Sequence, residues 1–227
     1  VVMRDGKIQQ ADAAMKTYHE PANRFVAGFI GMPPMNFFPG HLRRGPDGGL
    51  AFEEAAAPQT NAGPGGTPLA GADSAAELTA AMKGFTLTLS RLRSGVPDRL
   101  ASRVGSSVVL GIRPEHLSLR PIASEDGSVV SQPVELGLTV VEPLGSEVDL
   151  YLRSASNDSV VARVEAPAGE SLSEPRVGSV ARVHVDLRRV HLFEPGEAGL
   201  NLSLENVSMQ TASTGQSAAD ELSHAKP

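Results

Sequence analysis

The sequence contains no cysteine and no tryptophan, and only nine of its 227 residues are aromatic. The absence of cysteine excludes disulfide bonds, thiolate metal sites and a cysteine nucleophile. No apolar run approaches the roughly 20 residues that a membrane-spanning helix needs, and no signal-peptide pattern opens the chain. The net charge of −6 argues against a dedicated nucleic-acid-binding protein, which normally presents a basic surface. The composition therefore predicts a soluble, intracellular and mildly acidic protein.

The common catalytic motifs are also missing from the sequence. It contains no phosphate-binding loop of the G-x-x-x-x-G-K-[ST] type, no G-x-S-x-G elbow and no H-E-x-x-H pair. The six histidines show no spacing typical of metal ligands. We therefore predict no catalytic, cofactor-binding or metal-binding residue in this chain.

Glycine and proline are abundant, with 23 and 17 residues, and this content excludes an all-helical bundle. Between the turns, short segments are apolar or alternate apolar with polar residues, which is typical of strands. These segments are residues 37–42, 48–52, 85–90, 108–112, 134–140, 148–152, 160–164, 183–187 and 200–204. Many short strands at this spacing predict a small barrel or sandwich.

The amino-terminal segment has a different pattern. Two short β-prone runs flank Asp5-Gly6, the strongest local hairpin signal. Two short helices are predicted next, over residues 12–18 with Asp12 as N-cap and over residues 22–31. An isolated hairpin is marginally stable in water, so we expect these strands to belong to a sheet encoded upstream and Val1 to be a truncation point.

Two segments are predicted to lack a packed structure. Residues 55–76 are rich in alanine, glycine and proline and poor in large apolar residues, so they are expected to be a flexible insertion. Residues 77–82 are compatible with one helical turn. The polar tail at residues 207–227 shows no periodicity and is expected to be disordered.

Two motifs stand out among the predicted strands. One runs from Leu110 to Leu117, where a strand leads into Arg-Pro-Glu, and the other runs from Val141 to Glu147 through a Pro-Leu-Gly corner. Each alone is compatible with an ordinary barrel corner. In the first motif, Arg113 and Glu115 are two residues apart, so they could project on the same side as an ion pair, which contributes little if it is exposed.

Together with the amino-terminal segment, these motifs resemble the carboxy-terminal part of the ATP-binding subunits of ABC-type sugar importers. The resemblance is greatest to the maltose and sn-glycerol-3-phosphate importer ATPases. The matching segments are residues 2–10, 18–37, 111–117 and 141–147. Overall the resemblance extends over residues 1–42 and about 108–206.

The resemblance implies a mainly β chain in two parts and a tail. Residues 1–34 would be a short α/β remnant of a nucleotide-binding domain. Residues 35–206 would be an OB-like regulatory barrel of the TOBE type, carrying the insertion at 55–76, and residues 207–227 the tail. The motif positions with expected structural or interface roles, none of them catalytic, are Gly111, Arg113, Pro114, Glu115, Glu142, Pro143 and Gly145.

The resemblance also implies cofactors, partners and a location. The family's ATP-handling motifs would precede Val1, so ATP and Mg²⁺ are expected in a full-length parent ATPase and not on this chain, whose own enzymatic status stays open. The expected partners are a second copy in a homodimer, membrane-spanning permease subunits and, in some members, regulatory proteins, with no nucleic acid. The expected location is cytoplasmic, peripheral on the inner face of the cell membrane.

Two functions remain open at this point. The first is the regulatory and dimerisation portion of an importer ATPase that couples ATP hydrolysis to uptake of carbohydrate or glycerol-3-phosphate. The alternative is a stand-alone OB-like module that binds a small oxyanion. Such a pocket needs converging N–H donors or basic side chains, and in the sequence only Arg182 and the pair Arg188-Arg189 suggest one.

Overall fold

The computed structural model describes residues 1–56, 83–92, 95–166 and 176–204. Within them the chain forms three short α-helices, α1 (Ala14–His19), α2 (Arg24–Phe29) and α3 (Val96–Leu100). Two 3₁₀ turns span Ala101–Arg103 and Pro114–His116. The strands are β1 (Val2–Arg4), β2 (Lys7–Gln10), β3 (Asn36–Arg44), β4 (Leu50–Glu54), β5 (Thr86–Thr88), β6 (Ser107–Ile112), β7 (Leu117–Ser118), β8 (Ser131–Pro143), β9 (Glu147–Arg153), β10 (Val160–Glu165), β11 (Val180–Asp186) and β12 (His191–Phe193).

The strands are arranged in a hairpin and two five-stranded sheets. Strands β1 and β2 pair with each other, and the sheets have the orders β10-β9-β8-β11-β7 and β12-β6-β3-β4-β5. Every strand pair is antiparallel. The main apolar core takes residues from both sheets, including Phe38, Leu110, Leu136 and Leu150. The two sheets therefore enclose this core as a nearly closed barrel, which confirms the predicted mainly β, OB-like fold.

Side-chain amides connect the two sheets at their seams. The amide of Asn36 in β3 donates to the carbonyl of Val161 in β10 at 2.8 Å and accepts from its N–H at 2.8 Å. At another seam, Gln132 in β8 donates to the carbonyl of Thr86 at 2.7 Å and accepts from the N–H of Thr88 at 2.9 Å. In each case the side-chain amide uses one donor and one acceptor, as a backbone peptide group does. It therefore forms the hydrogen bonds that a neighbouring strand would otherwise form at the seam.

We expect Asn36→Ala to lower the free energy of unfolding by about 2–3 kcal/mol, because it leaves two backbone groups at a buried seam without partners. Asn36 is only 4% exposed. The matched variant is Gln132→Ala, whose seam is partly exposed, and there water replaces the lost bonds at a cost of about 1 kcal/mol or less. Urea unfolding measures both values. Equal losses for the two variants would contradict the role of burial at the Asn36 seam.

The two amino-terminal helices occur where they are predicted, with different ends. Helix α2 begins after Asn23, whose side chain accepts from the N–H of Val26 at 2.9 Å as an N-cap. The prediction of Asp12 as the cap of α1 is wrong, because the helix begins after Ala13 and no side chain caps it. The Asp12 carboxylate instead accepts from Lys16 at 3.0 Å. Asp12 therefore lies before the helix, and its side chain pairs with Lys16, four residues later, inside it.

The strand predicted over residues 200–204 is not present. Leu200 and Asn201 form only isolated bridges, to Asn23 and Phe193. Pro39 and Gly40, two residues expected to interrupt a strand, do not interrupt the first barrel strand, since β3 continues through both residues between β4 and β6.

Several predictions fall outside the described residues. They are most of the insertion at 55–76, the helical turn at 77–82 and the tail at 207–227. The predicted division into residues 1–34 and 35–206 stays a prediction. Across the part of the chain that the structure describes, no helix has the length and apolar character required to cross a membrane.

Candidate functional site

The first motif places a buried arginine against the amino-terminal segment. Arg113 follows β6 directly and is only 1% exposed. Its guanidinium donates to the carbonyl of Ile30 at 2.8 Å and to that of Tyr18 at 2.5 Å, and it lies 3.6 Å from the centre of the Tyr18 ring. The planar fork of arginine is suited to such a site because it reaches two acceptors and stacks on a ring at once. Arg113 thus links the barrel to the end of both helices.

Glu115, in the 3₁₀ turn that follows Arg113, contacts the hydroxyl group of the same tyrosine. The Tyr18 hydroxyl donates to the Glu115 carboxylate. Arg113 and Glu115 do not form the ion pair that their spacing allows, because the turn buries Arg113 and leaves Glu115 exposed. Burial first, and then the bond to Glu115 and its negative charge, raise the pKa of Tyr18 to about 12.

This pair gives a prediction that absorbance can test, because the chain has only two tyrosines. We expect Glu115→Gln to lower the pKa of Tyr18 only part of the way toward 10, since burial, its main cause, remains. The control is Glu142→Gln, which affects the other tyrosine: Tyr151 donates to Glu142 at 2.9 Å, and this bond is the main cause of its raised pKa. Phenolate absorbance against pH, with circular dichroism monitoring the fold, measures both. A Tyr18 pKa unchanged in Glu115→Gln would contradict the contact.

A second arginine binds the amino-terminal segment next to the first. Arg163 in β10 pairs with Asp149 in β9 through two bonds of 2.8 and 2.7 Å, and it also donates to the carbonyl of Met32 at 3.2 Å. Asp149 is buried, and its bonds raise the pKa of Arg163. The cross-strand register places Arg163 directly opposite Asp149. Sequence reasoning missed this pair, because opposed charges in two strands become informative only when the register is known.

A buried asparagine joins the segment to the barrel at a third point. Asn201 is fully buried, and its amide donates to the carbonyl of Pro21 at 2.8 Å, while its backbone N–H donates to the carbonyl of Ala22 at 3.0 Å. The sequence shows only an N-x-S pattern at this position. The surface formed by Arg113, Glu115, Arg163 and Asn201 against residues 18–32 is called the junction below.

The remaining motif residues have separate places. Gly111 lies in β6, and a Cβ there would come within 2.7 Å of both the Met35 and Phe193 side chains. Pro114 is buried at the start of the 3₁₀ turn. The residues of the second motif lie at the hairpin between β8 and β9, away from the contacts of Arg113: Glu142, Pro143 and Gly145. The structure thus places the first motif at the junction and the second at an exposed hairpin tip.

The chemistry available at the junction is hydrogen bonding and charge pairing between two parts of the chain. Arg113 and Arg163 bind two backbone carbonyls of the bend after α2, those of Ile30 and Met32. Charge-assisted bonds of this kind are stronger than neutral ones and fix geometry. Three residues outside the segment, Arg113, Arg163 and Asn201, therefore hold residues 18–32 by hydrogen bonds to its backbone.

Comparison with known proteins gives a consistent result. Residues 110–193 match the model of the TOBE domain family. The chain is 30% identical over 197 residues to the oligosaccharides import ATP-binding protein MsmX of Bacillus subtilis, covering 86% of this chain and 42% of MsmX. It is 28% identical over 215 residues to the sn-glycerol-3-phosphate import ATP-binding protein UgpC of Vibrio vulnificus, covering 93% of this chain and 43% of UgpC. These matches confirm the resemblance seen in the sequence.

The chain spans less than half the length of the curated relatives it matches. Among solved structures, the cytoplasmic molybdate-binding protein ModG is similar with a TM-score of 0.37 and 15% identity, covering 70% of this chain and 96% of that chain. A likeness this small carries no functional argument.

Proposed function

We propose that this chain is the carboxy-terminal regulatory and dimerisation portion of an importer ATPase. Two findings support the proposal: residues 110–193 match the TOBE domain family, and most of the chain is similar to ABC import ATP-binding proteins. The complete protein would use ATP and Mg²⁺ and couple ATP hydrolysis to uptake of a carbohydrate or glycerol-3-phosphate. It would act at the inner face of the cell membrane with permease subunits, and in some settings with regulatory proteins.

The observation that carries this proposal is the junction. In a coupling role the barrel has to follow movements of the segment that leads into it, and a flexible tether would not transmit them. Arg113 and Arg163 bind the backbone carbonyls of Ile30 and Met32, so the segment and the barrel move together. Among the described residues, no group of three or more acidic or histidine side chains is arranged to hold a metal ion.

A chimera tests the proposal. In MsmX, the matching carboxy-terminal region is replaced by this chain, and the controls are intact MsmX and MsmX ending where the match begins. We expect the chimera to recover growth of Bacillus subtilis on an MsmX-dependent oligosaccharide, and its purified ATPase to be dimeric. Growth and assembly equal to those of the shortened control would overturn the proposal.

The exposed hairpin between β8 and β9 is the proposed contact between two copies. Val140 and Leu144 on this hairpin are 50% and 46% exposed, beside Glu142 and Pro143 of the second motif. These two apolar side chains and the neighbouring motif residues are the surface that we assign to the contact.

We expect the purified chain to form a weak dimer that dissociates on dilution, because only this small surface holds it. Leu144→Asp is expected to weaken dimerisation by about tenfold or more, since a charge would be buried at the contact. The control is Val177→Asp, at a valine between β10 and β11 that is 61% exposed. Sedimentation measures both, and a tight, salt-insensitive tetramer or equal effects of the two variants would contradict the assigned contact.

A further inference from the structure

A small cavity between the end of α1 and the barrel is lined almost entirely by basic residue types. Its volume is about 10 Å³, which is room for about one water molecule or one monatomic ion. The residues around it are Arg113, Arg188, Arg189, His19, His116 and His191. None of the lining residues that the structure describes carries a carboxylate. The chain as a whole is acidic, so this concentration of cationic groups does not follow from composition.

Two buried nitrogen atoms of these side chains lack hydrogen-bond partners. They are Nε of Arg113 and Nδ1 of His116, both shielded from solvent. Arg113 is only 1% exposed and uses its other nitrogens for the Ile30 and Tyr18 carbonyls. Buried donors without partners are rare and costly, and a bound ion or water is the usual explanation.

The two carboxylates that act on His116, Glu115 and Asp186, already accept hydrogen bonds from other side chains. Asp186 accepts two bonds from the Arg188 guanidinium, at 3.0 and 2.8 Å, and Glu115 accepts from Tyr18. Arg113 is bonded only to carbonyls, and within the described ranges the Arg189 guanidinium has no hydrogen bond or ion pair. Neither the Arg113 nor the Arg189 guanidinium is therefore bonded to a carboxylate within the described residues.

The protonation of His116 is consistent with this picture. Burial lowers its pKa most, Arg189 and Arg113 lower it further, and Glu115 and Asp186 act in the opposite direction. At neutral pH the ring is therefore uncharged and offers a single N–H. A neutral ring that donates this hydrogen toward the cavity adds a donor without adding a charge.

We propose that the cavity is a binding site for a single halide-sized anion, held by Arg113, His116 and Arg189. An anion accepts from several donors at once and balances charge, whereas a water molecule supplies no charge. The cavity offers about one water-sized position, and a tetrahedral oxyanion, with four oxygens around its centre, does not fit a single such position. Because His19 belongs to α1 and the other lining residues to the barrel, the bound anion would join the two parts of the chain. This inference does not depend on the proposed transport role.

The test uses the purified chain and bromide as the probe. Thermal unfolding is followed while sodium bromide replaces sodium gluconate at constant ionic strength, and crystals grown with bromide are examined for anomalous scattering. We expect a saturable rise in the unfolding temperature, because an ion that binds only the folded state stabilises it. We also expect an anomalous peak within hydrogen-bond reach of Arg113 Nε and His116 Nδ1.

Two exposed arginines provide the matched variants. Arg189→Gln removes a lining charge, and Arg182→Gln removes a charge from β11 outside the cavity lining. We expect Arg189→Gln to weaken the apparent affinity for bromide at least tenfold and Arg182→Gln to leave it within twofold. Equal responses of the two variants, a cavity that holds only water at saturating bromide, or tighter binding of inorganic phosphate than of bromide would each overturn the proposal.

Discussion

Replacing Arg113 by methionine is expected to lower the free energy of unfolding by about 2–5 kcal/mol, although the new side chain is apolar and similar in length. The reason is that the carbonyls of Tyr18 and Ile30 stay at the junction and lose their donors. A buried group left without its partner costs more than the bond contributed while it was made. Urea unfolding gives the value, and Arg182→Met, at an exposed position of β11, is expected to change it by less than about 0.5 kcal/mol.

The conservative variant separates charge from shape. Lysine keeps the positive charge but is a point donor on a flexible stem, so it does not reach both carbonyls and stack on the Tyr18 ring as the guanidinium does. We therefore expect Arg113→Lys to recover less than half of the loss. Amide hydrogen exchange locates the effect: residues 18–32 should exchange faster in both variants, while β8 and β9 keep their protection. A stability of Arg113→Met equal to the original chain would exclude the junction as a structural link.

The sequence was informative wherever a local rule decides the structure. Asp5 and Gly6 both adopt positive φ, as the tight turn between β1 and β2 requires, so the hairpin follows from two residues. The alternation over residues 148–152 appears as the buried Val148, Leu150 and Leu152 of β9. In each case the pattern is contained in a few consecutive residues.

Contacts between distant residues were not accessible in the same way. Asn36 and Gln132 connect the sheets through side-chain amides, and no local pattern distinguishes them from other polar strand residues. Asn201 is another example. Its side-chain amide and its backbone N–H donate to the carbonyls of Pro21 and Ala22, before α2, and not to the backbone of a neighbouring barrel strand. These positions depend on register and closure, which are properties of the whole barrel.

The first motif contains one feature that a local rule predicts and one that depends on a distant part of the chain. Proline lacks the donor that a ladder needs, so Pro114 is expected to end the ladder or lie at an edge, and β6 ends at Ile112, two residues before it. The Arg-Pro-Glu sequence also allows an ion pair between Arg113 and Glu115, whereas the Arg113 side chain is buried under the amino-terminal segment. That segment is about 90 residues away in sequence, so the partner of the arginine was outside any local window.

Replacing Gly111 by alanine is expected to lower the free energy of unfolding by about 1–3 kcal/mol, the usual cost of an extra methyl group in a packed core. The new Cβ would lie 2.6 Å from Sδ of Met35 and 2.7 Å from Cε2 of Phe193, and both side chains are buried. Contacts this close require the neighbours to move, and the flexible methionine moves more easily than the ring. Gly111 is therefore required by close approach and not by its backbone angles.

A double variant and a second glycine test this explanation. Met35→Ala removes one of the two obstacles, so Gly111→Ala should cost at least about 0.5 kcal/mol less in that background, a coupling expected of residues in contact. Gly145 is the matched contrast, because its Cβ would meet nothing within 4 Å but its φ is +91°. Gly145→Ala is expected to cost about 1 kcal/mol, and Gly145→Asn less, since asparagine tolerates positive φ. If Gly111→Asn proved as mild as Gly145→Asn, or if Met35→Ala left the cost of Gly111→Ala unchanged, crowding in the core would not be the reason for the glycine in the first motif.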